Sequence, residues 1–170
     1  KVKKKYIVVM QHPVTTSYNS ASSQINETIK AIKRLNIQTI WMWPNIDVGS
    51  DTISKRLRLF RERNKNLKIH FFKNFLPEDF IKLCFSSQIL IGNSSVGIRE
   101  SSYLGINVIN IGERQAGRER GRNIIDVDYD SSKIIKFGWQ AKYDLKKGIS
   151  NTYSWFLENK NNLKELKFKL

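Results

Sequence analysis

The sequence has one cysteine and two histidines among its 170 residues, and this scarcity excludes two common kinds of site. The single thiol of Cys84 can form neither an internal disulfide nor a cysteine-rich metal cluster. Because Cys84 lies in the apolar stretch FIKLCFSSQILIG, we expect a buried small hydrophobe and not a nucleophile. His12 and His70 lack a metal-ligand spacing, and no GxGxxG loop is present. The sequence therefore implies neither a metal nor a nicotinamide cofactor.

Long apolar runs are also missing. The N-terminal segment KVKKKYIVVMQHP has a basic start, but its apolar run is far too short for a signal peptide. No stretch approaches the ~20 apolar residues that cross a membrane. We therefore predict a soluble, cytoplasmic protein without membrane partners. The chain begins without methionine at the entry to a strand, which leaves open that it is a fragment.

Acidic residues are scarce relative to basic ones: 15 Asp and Glu face 30 Lys and Arg, giving a net charge of +15. Such a balance attracts polyanions. The lysines are scattered, however, as in KAIKRLN at 30–36, and no aromatic-interleaved basic platform for single strands is visible. We expect no specific nucleic-acid partner and favour a phosphorylated small molecule. A basic nucleic-acid-binding module is kept as an alternative.

Apolar runs alternate with amphipathic segments along the first 130 residues. The runs predict strands at 6–10, 38–44, 67–72, 88–92, 107–112 and 123–127. The segments between them predict helices at 21–36, 50–64, 76–87 and 95–105. This alternation is typical of an α/β fold: a Rossmann-like parallel sheet with helices on both faces.

Polar side chains follow four of these strands directly. They are His12, Asn45, Ser94 with Ser95, and Arg114. Ligands of such sheets bind beyond the carboxyl ends of the strands, so these residues define a predicted site.

The stretch GNSSVGIRE at 92–100 carries the strongest chemical signal. Ser94 and Ser95 suit a helix N-cap, and the same free N–H groups attract phosphate. Capping alone, or capping with a phosphate contact, both remain open. Glu100 suits a ribose diol, but it also suits a solvated helix glutamate or a partner of Arg99. Arg114 begins an arginine-rich loop, and guanidinium groups match phosphate in a bidentate way.

Four motifs in order make the sequence similar to a known family. LIGNSSVGIRE at 90–100, VINIGERQAGRERGRN at 108–123, QHPVTT at 11–16 and WPNIDVGSD at 43–51 resemble the UDP-N-acetylglucosamine 2-epimerase family. The resemblance covers roughly residues 5–130 and is greatest to the hydrolysing, N-acetylmannosamine-forming branch. It implies the second half of a GT-B-like two-domain fold, in which two Rossmann-like domains face a cleft.

The resemblance also implies roles for individual residues. By this resemblance, Ser94 and Ser95 are expected to contact the diphosphate of a UDP-sugar, and Glu100 is expected to accept the ribose hydroxyls. Arg114 lies near the phosphates.

Two further roles come from the resemblance more than from the residues. His12 is implied as catalytic, reaching the diphosphate and assisting the leaving UDP, although a histidine before proline is usually structural. Asn45 is implied to line the nucleotide side, although after Pro44 it suits a turn. Asp47 in that turn is interpreted as shape, not chemistry.

In the family, the acid–base carboxylates belong to the first domain. The implied partner is therefore that missing N-terminal domain, and a homo-oligomer is left open. Alone, the chain is expected to bind UDP weakly and not to turn over. The donor domain of a GT-B glycosyltransferase is the other enzyme considered, but the GERQAGR loop at 112–118 argues against it.

The character of the sequence changes near residue 130. We predict a UDP-binding domain at 1–130 and an amphipathic helical tail at 131–170. The apolar face of that helix comprises Leu145, Ile149, Tyr153, Phe156 and Leu157. The tail to about residue 163 resembles the C-terminal end of GDP-fucose synthase-like short-chain-dehydrogenase sugar enzymes, without their catalytic residues. A fusion, a gene remnant, an assembly artefact and a chance likeness all stay open.

Overall fold

Six parallel strands form one sheet in the computed structural model, which describes residues 5–137. The strands are β1 Ile7–Met10, β2 Thr39–Met42, β3 Ile69–Phe72, β4 Leu90–Gly92, β5 Val108–Ile111 and β6 Ile124–Val127. The helices are α1 Ala21–Leu35, α2 Ser50–Arg63, α3 Pro77–Phe85, α4 Ser95–Ile98, α5 Glu100–Leu104 and α6 Ser131–Phe137. A 3-10 helix, Thr15–Ser20, precedes α1.

The strand order is β3-β2-β1-β4-β5-β6, and each neighbouring pair runs parallel. The chain winds outward from β1 in one direction, then crosses to β4 and winds outward in the other. The crossover leaves a crevice between the carboxyl ends of β1 and β4, the place where doubly wound sheets bind ligands.

Helices cover both faces because side chains alternate along each strand. Ile7 and Val9 of β1 point into one apolar core, which also holds Ile32 of α1, Ile53 of α2 and Ile134 of α6. On the opposite face, Val8 and Met10 pack with Cys84 of α3 and Leu104 of α5. The predicted Rossmann-like parallel sheet with helices on both faces is confirmed.

Three helical features differ from the sequence prediction. The helix predicted at 95–105 is two short helices, because Arg99 has φ −91° and ψ −78° and breaks the turn between α4 and α5. The 3-10 helix was not predicted, since it is short and lacks a clear apolar period, and α6 was predicted only as the start of the helical tail over 131–170, not as a separate short helix. Ile134 of α6 is fully buried, and the main-chain N–H of Ser131 donates to Glu27 at 3.2 Å. The predicted boundary at residue 130 stays a prediction, and the apolar helix face predicted between residues 145 and 157 of the tail lies outside the described residues.

Two other expectations concern the burial of Cys84 and the length and apolar character of the helices. Cys84 is fully buried as predicted, and burial together with the charge of Glu100 raises the pKa of its thiol to about 12. Among residues 5–137, no helix has both the length and the apolar character needed to cross a bilayer.

Candidate functional site

Gly92 brings β4 close to β1 at the crevice. Its φ is +143°, and a Cβ atom at this position would lie 1.9 Å from the carbonyl oxygen of Met10. Only glycine fits such a backbone approach. The main-chain N–H of the next residue, Asn93, can therefore reach the same carbonyl oxygen, at 3.0 Å.

Asn93 is the centre of the polar cluster in this crevice. Its Oδ1 accepts the main-chain N–H of His12 at 2.7 Å, and its Nδ2 donates to the His12 carbonyl oxygen at 2.9 Å. Its own carbonyl oxygen accepts Nη1 of Arg114 at 3.2 Å and Nε2 of Gln115 at 2.8 Å. Asn93 is fully buried, and these direct hydrogen bonds join the loops after β1, β4 and β5.

His12 has a fixed ring orientation and an altered protonation. Its Nδ1 accepts the main-chain N–H of Asn45 at 3.1 Å, so the neutral imidazole carries its proton on Nε2. The side chain is buried, and burial together with the charge of Arg114 lowers the pKa of His12 to about 4, with Asp47 opposing the shift. At neutral pH His12 is therefore an uncharged hydrogen-bond donor through Nε2.

Arg114 links the loops that follow β5 and β2. One of its terminal nitrogens contacts the carbonyl oxygen of Asn93, and the other lies 3.7 Å from Oδ2 of Asp47. A quarter of its side chain is exposed, so the guanidinium is held in place and still accessible. This arrangement suits an anion in the crevice.

Ser94 and Ser95 follow Asn93 at the start of α4. Ser94 occupies the N-cap position, but its hydroxyl makes no capping hydrogen bond to its own helix. The expectation of a capping hydroxyl is therefore wrong for Ser94. The reason is that α4 has only four residues, and the N–H of Gly97 is satisfied by the Ser94 carbonyl oxygen at 3.1 Å.

Glu100 lies apart from the cluster on the exposed side of α5. It lines a cavity of about 420 Å³ between α3 and α5, together with Ile81, Arg99, Tyr103 and Leu104. This cavity offers an apolar wall with a carboxylate at its side. The structure thus brings together His12, Asn45, Ser94 and Arg114, and it does not join Glu100 to them by a direct contact.

Sequence reasoning missed Asn93, Gln115 and the charge of Asp47. Asn93 had a visible signal, because a buried amide directly after the strand-ending Gly92 must find partners. Asp47 was interpreted as shape, yet its carboxylate faces Arg114 and acts on the pKa of His12. Gln115, only 2% exposed, carried no signal beyond its place beside Arg114.

The remaining arginines of the loop divide into two groups. Arg120 is held by Asp126, with Nε 2.9 Å from Oδ2, and Asn110 donates to the same carboxylate at 2.6 Å. Arg118 and Arg122 are exposed. Among the described residues, no group of three or more His, Cys, Asp or Glu side chains is arranged to hold a metal ion.

The fold and its crevice are those of a Rossmann-like ligand-binding domain. The sequence model for UDP-N-acetylglucosamine 2-epimerase matches residues 1–160, and the chain belongs to this family. The family is an enzyme family, and the resemblance drawn from the four motifs is confirmed.

Individual relatives agree. The chain is 37% identical over 135 residues to polysialic acid biosynthesis protein P7 of Escherichia coli, covering 78% of this chain and 34% of that protein. It is 33% identical over 150 residues to a hydrolysing UDP-N,N'-diacetylbacillosamine 2-epimerase of Legionella pneumophila, covering 88% and 39%. The chain thus spans little more than a third of the length of these relatives.

Solved structures share the fold. The UDP-GlcNAc 2-epimerase of Methanocaldococcus jannaschii superposes with a TM-score of 0.61 at 16% identity, covering 80% of this chain and 38% of that one. A second structure of that protein, with a TM-score of 0.55, holds UDP-GlcNAc and UDP. Over 30 residues the chain is also 57% identical to a putative GDP-L-fucose synthase 2 of Arabidopsis thaliana.

Proposed function

We propose that this chain is the UDP-binding part of a hydrolysing UDP-N-acetylglucosamine 2-epimerase. The whole enzyme converts UDP-GlcNAc to N-acetylmannosamine and UDP for the synthesis of sialic-acid-type sugars. The observation that carries the proposal is the meeting of His12 and Arg114 on Asn93, in the crevice between β1 and β4. The family membership, the polysialic-acid relative and the UDP-bound structural neighbour support it.

The proposed reaction places its developing charge at this crevice. Removal of a proton at C2 of the sugar and loss of UDP from C1 give an unsaturated glycal, to which water adds. The bond that breaks leaves negative charge on the diphosphate. The Nε2–H of His12, the guanidinium of Arg114 and the hydroxyls of Ser94 and Ser95 are donors that can stabilise this charge.

A neutral His12 is suited to this task. An imidazole with its proton fixed on Nε2 donates to a phosphate oxygen without first having to be protonated. Arg114 supplies the positive charge through its guanidinium group. We assign Asn45 to orient the ring of His12 through its main-chain N–H and to line the nucleotide side of the crevice.

Glu100 is proposed to accept the ribose hydroxyls at the cavity between α3 and α5. A carboxylate accepts two hydrogen bonds from a vicinal diol, and the apolar residues Ile81 and Leu104 line the same cavity. The ribose then binds at this cavity and the diphosphate of the same nucleotide binds in the crevice, with Ser94 and Ser95 between the two.

The acid–base carboxylates at C2 are proposed to come from a further epimerase domain. The chain spans 34% of the Escherichia coli relative and 39% of the Legionella one, so the activity of the whole protein requires more than these residues. We propose that the chain alone binds UDP without turnover and acts with that domain, in an assembly that includes a second copy. The cytoplasm stays the predicted compartment.

Calorimetric titration of the chain with UDP tests the proposal, and GDP and a single-stranded oligonucleotide are titrated in parallel. We expect saturable binding that favours UDP and is weakened by Ser95→Ala and by Glu100→Ala. Ser54→Ala and Glu62→Ala are the matched controls, since both residues lie on α2 and neither is proposed to contact UDP.

The other outcomes point to other functions. Binding of the oligonucleotide alone, with a steep dependence on salt, would establish the basic nucleic-acid-binding module instead. UDP binding without epimerase activity, in a chain supplied with its N-terminal domain, would favour the donor domain of a GT-B glycosyltransferase.

A further inference from the structure

We propose that Asn93 is a positioning residue that sets the imidazole of His12 and the guanidinium of Arg114 for a common ligand. This inference deepens the proposed function and rests on it for the identity of the ligand. The positioning itself is a property of the free chain, so it can be tested separately.

The side chain of Asn93 makes two hydrogen bonds to the backbone of His12. Its Oδ1 accepts a hydrogen bond from the main-chain N–H at 2.7 Å, and its Nδ2 donates one to the main-chain carbonyl oxygen at 2.9 Å. Because one bond is donated by the His12 backbone and the other is accepted by it, the pair fixes the orientation of this backbone segment. The pairing also leaves the amide with one orientation only, because reversing it would oppose donor to donor.

These two hydrogen bonds determine where the imidazole of His12 points. With its backbone fixed, His12 directs Nδ1 at the main-chain N–H of Asn45, 3.1 Å away, and directs Nε2 elsewhere. The Asn45 bond is a single contact from a loop after another strand. We infer that it persists because the backbone of His12 cannot rotate away from it.

The main-chain carbonyl of Asn93 positions the other side chain of the proposal, Arg114. It accepts Nη1 of Arg114 at 3.2 Å and Nε2 of Gln115 at 2.8 Å, so the loop after β5 is tied to the same residue. Burial of Asn93 protects all these bonds from exchange with water. The side chain of Asn93 therefore positions His12, and its main-chain carbonyl positions Arg114.

Nitrogen-15 NMR of the free 170-residue chain tests directly whether Asn93 positions the imidazole of His12. The chain has only two histidines, so the ring signals of His12 are assigned by comparison with a His70→Asn variant. In the parent chain we expect a single tautomer with the proton on Nε2. Asn93→Ala should give a mixture of tautomers, because the ring is no longer held against Asn45.

A matched control separates positioning from general loss of stability. Asn110→Ala removes another buried asparagine, which hydrogen-bonds to Asp126 on the far side of β5. It should destabilise the fold while leaving the tautomer of His12 unchanged. If Asn93→Ala fails to fold, Asn93→Asp is used: the carboxylate still accepts the His12 N–H but cannot donate to its carbonyl, and the tautomer should again become mixed.

Nucleotide binding supplies an independent readout. In a double-mutant cycle on the Kd for UDP, Asn93→Ala should weaken binding roughly tenfold in the parent chain, as for one lost charge-assisted contact. In a His12→Ala background it should weaken binding by less than about threefold, because the residue it positions is gone. An unchanged tautomer in both Asn93 variants, or additive effects in the cycle, overturns the proposal. A parent chain with the expected tautomer that binds no UDP overturns only the proposed function.

Discussion

The main-chain N–H of Asn45 donates to Nδ1 of His12 at 3.1 Å, so a loop after β2 decides the tautomer of a ring that follows β1. The bond leaves Nε2 as the only ring donor. Together with burial, it makes the protonated imidazole unfavourable: a proton on Nδ1 would have to displace the Asn45 contact. The first prediction follows from this cost.

Stability should fall as the pH falls from about 6.5 towards 4. The pKa of His12 is about 4 in the folded chain and near 6.5 when unfolded, so between these values the unfolded state binds more protons. The unfolding free energy therefore rises with pH across this window, by roughly 3 kcal/mol in full. Urea denaturation at several pH values measures it.

The variant that isolates this effect is His12→Asn, whose side chain does not titrate and whose oxygen can still accept the Asn45 N–H. The difference in unfolding free energy between the parent and His12→Asn should shrink as the pH falls. His70→Asn, which replaces the histidine at an exposed position of β3, is the control for the exchange itself. Parallel curves for His12→Asn and the parent would show that His12 is not the titrating group.

The core and the parallel sheet with helices on both faces were predictable, because β-branched runs of four or five residues separated by amphipathic helices leave few alternatives. Ile7, Val8 and Val9 of β1 are all fully buried, as the continuous apolar run requires of a strand covered on both faces. The clustering of His12, Ser94 and Arg114 was also predictable, since each follows a strand of a parallel sheet.

The details that the sequence left open are those decided by long-range pairs. Nothing local to Asn93 shows that its amide meets a backbone 81 residues earlier in the chain. The break at Arg99 was likewise hidden, because the sequence around it reads as one helix. Asp47 was misjudged since its partner Arg114 lies far along the chain, and only the sheet order brings the two loops together.

A second prediction concerns the crevice backbone. Gly92→Ala places a Cβ atom 1.9 Å from the Met10 carbonyl oxygen at a φ of +143°, so β1 and β4 must separate. We expect a loss of at least about 3 kcal/mol of unfolding free energy, measured by urea denaturation. Gly105→Ala is the control: its φ is +67°, but nothing lies within 4 Å of the added atom, and it should cost only about 1 kcal/mol. Equal losses in the two variants would contradict the close approach.

A third prediction separates the fork of Arg114 from its charge. One arm of the guanidinium donates to the Asn93 carbonyl oxygen at 3.2 Å, while the other lies 3.7 Å from Asp47. Lysine keeps the positive charge but has a single ammonium group, which cannot hold both partners and a phosphate oxygen in a planar fork. Arg114→Lys should therefore raise the Kd for UDP roughly tenfold with little change in unfolding free energy. Arg118→Lys makes the same exchange at an exposed position of the same loop and should leave the Kd within about twofold. Calorimetry on both variants measures the difference, and an Arg114→Lys chain that binds UDP as tightly as the parent would mean that the site needs only a positive charge there.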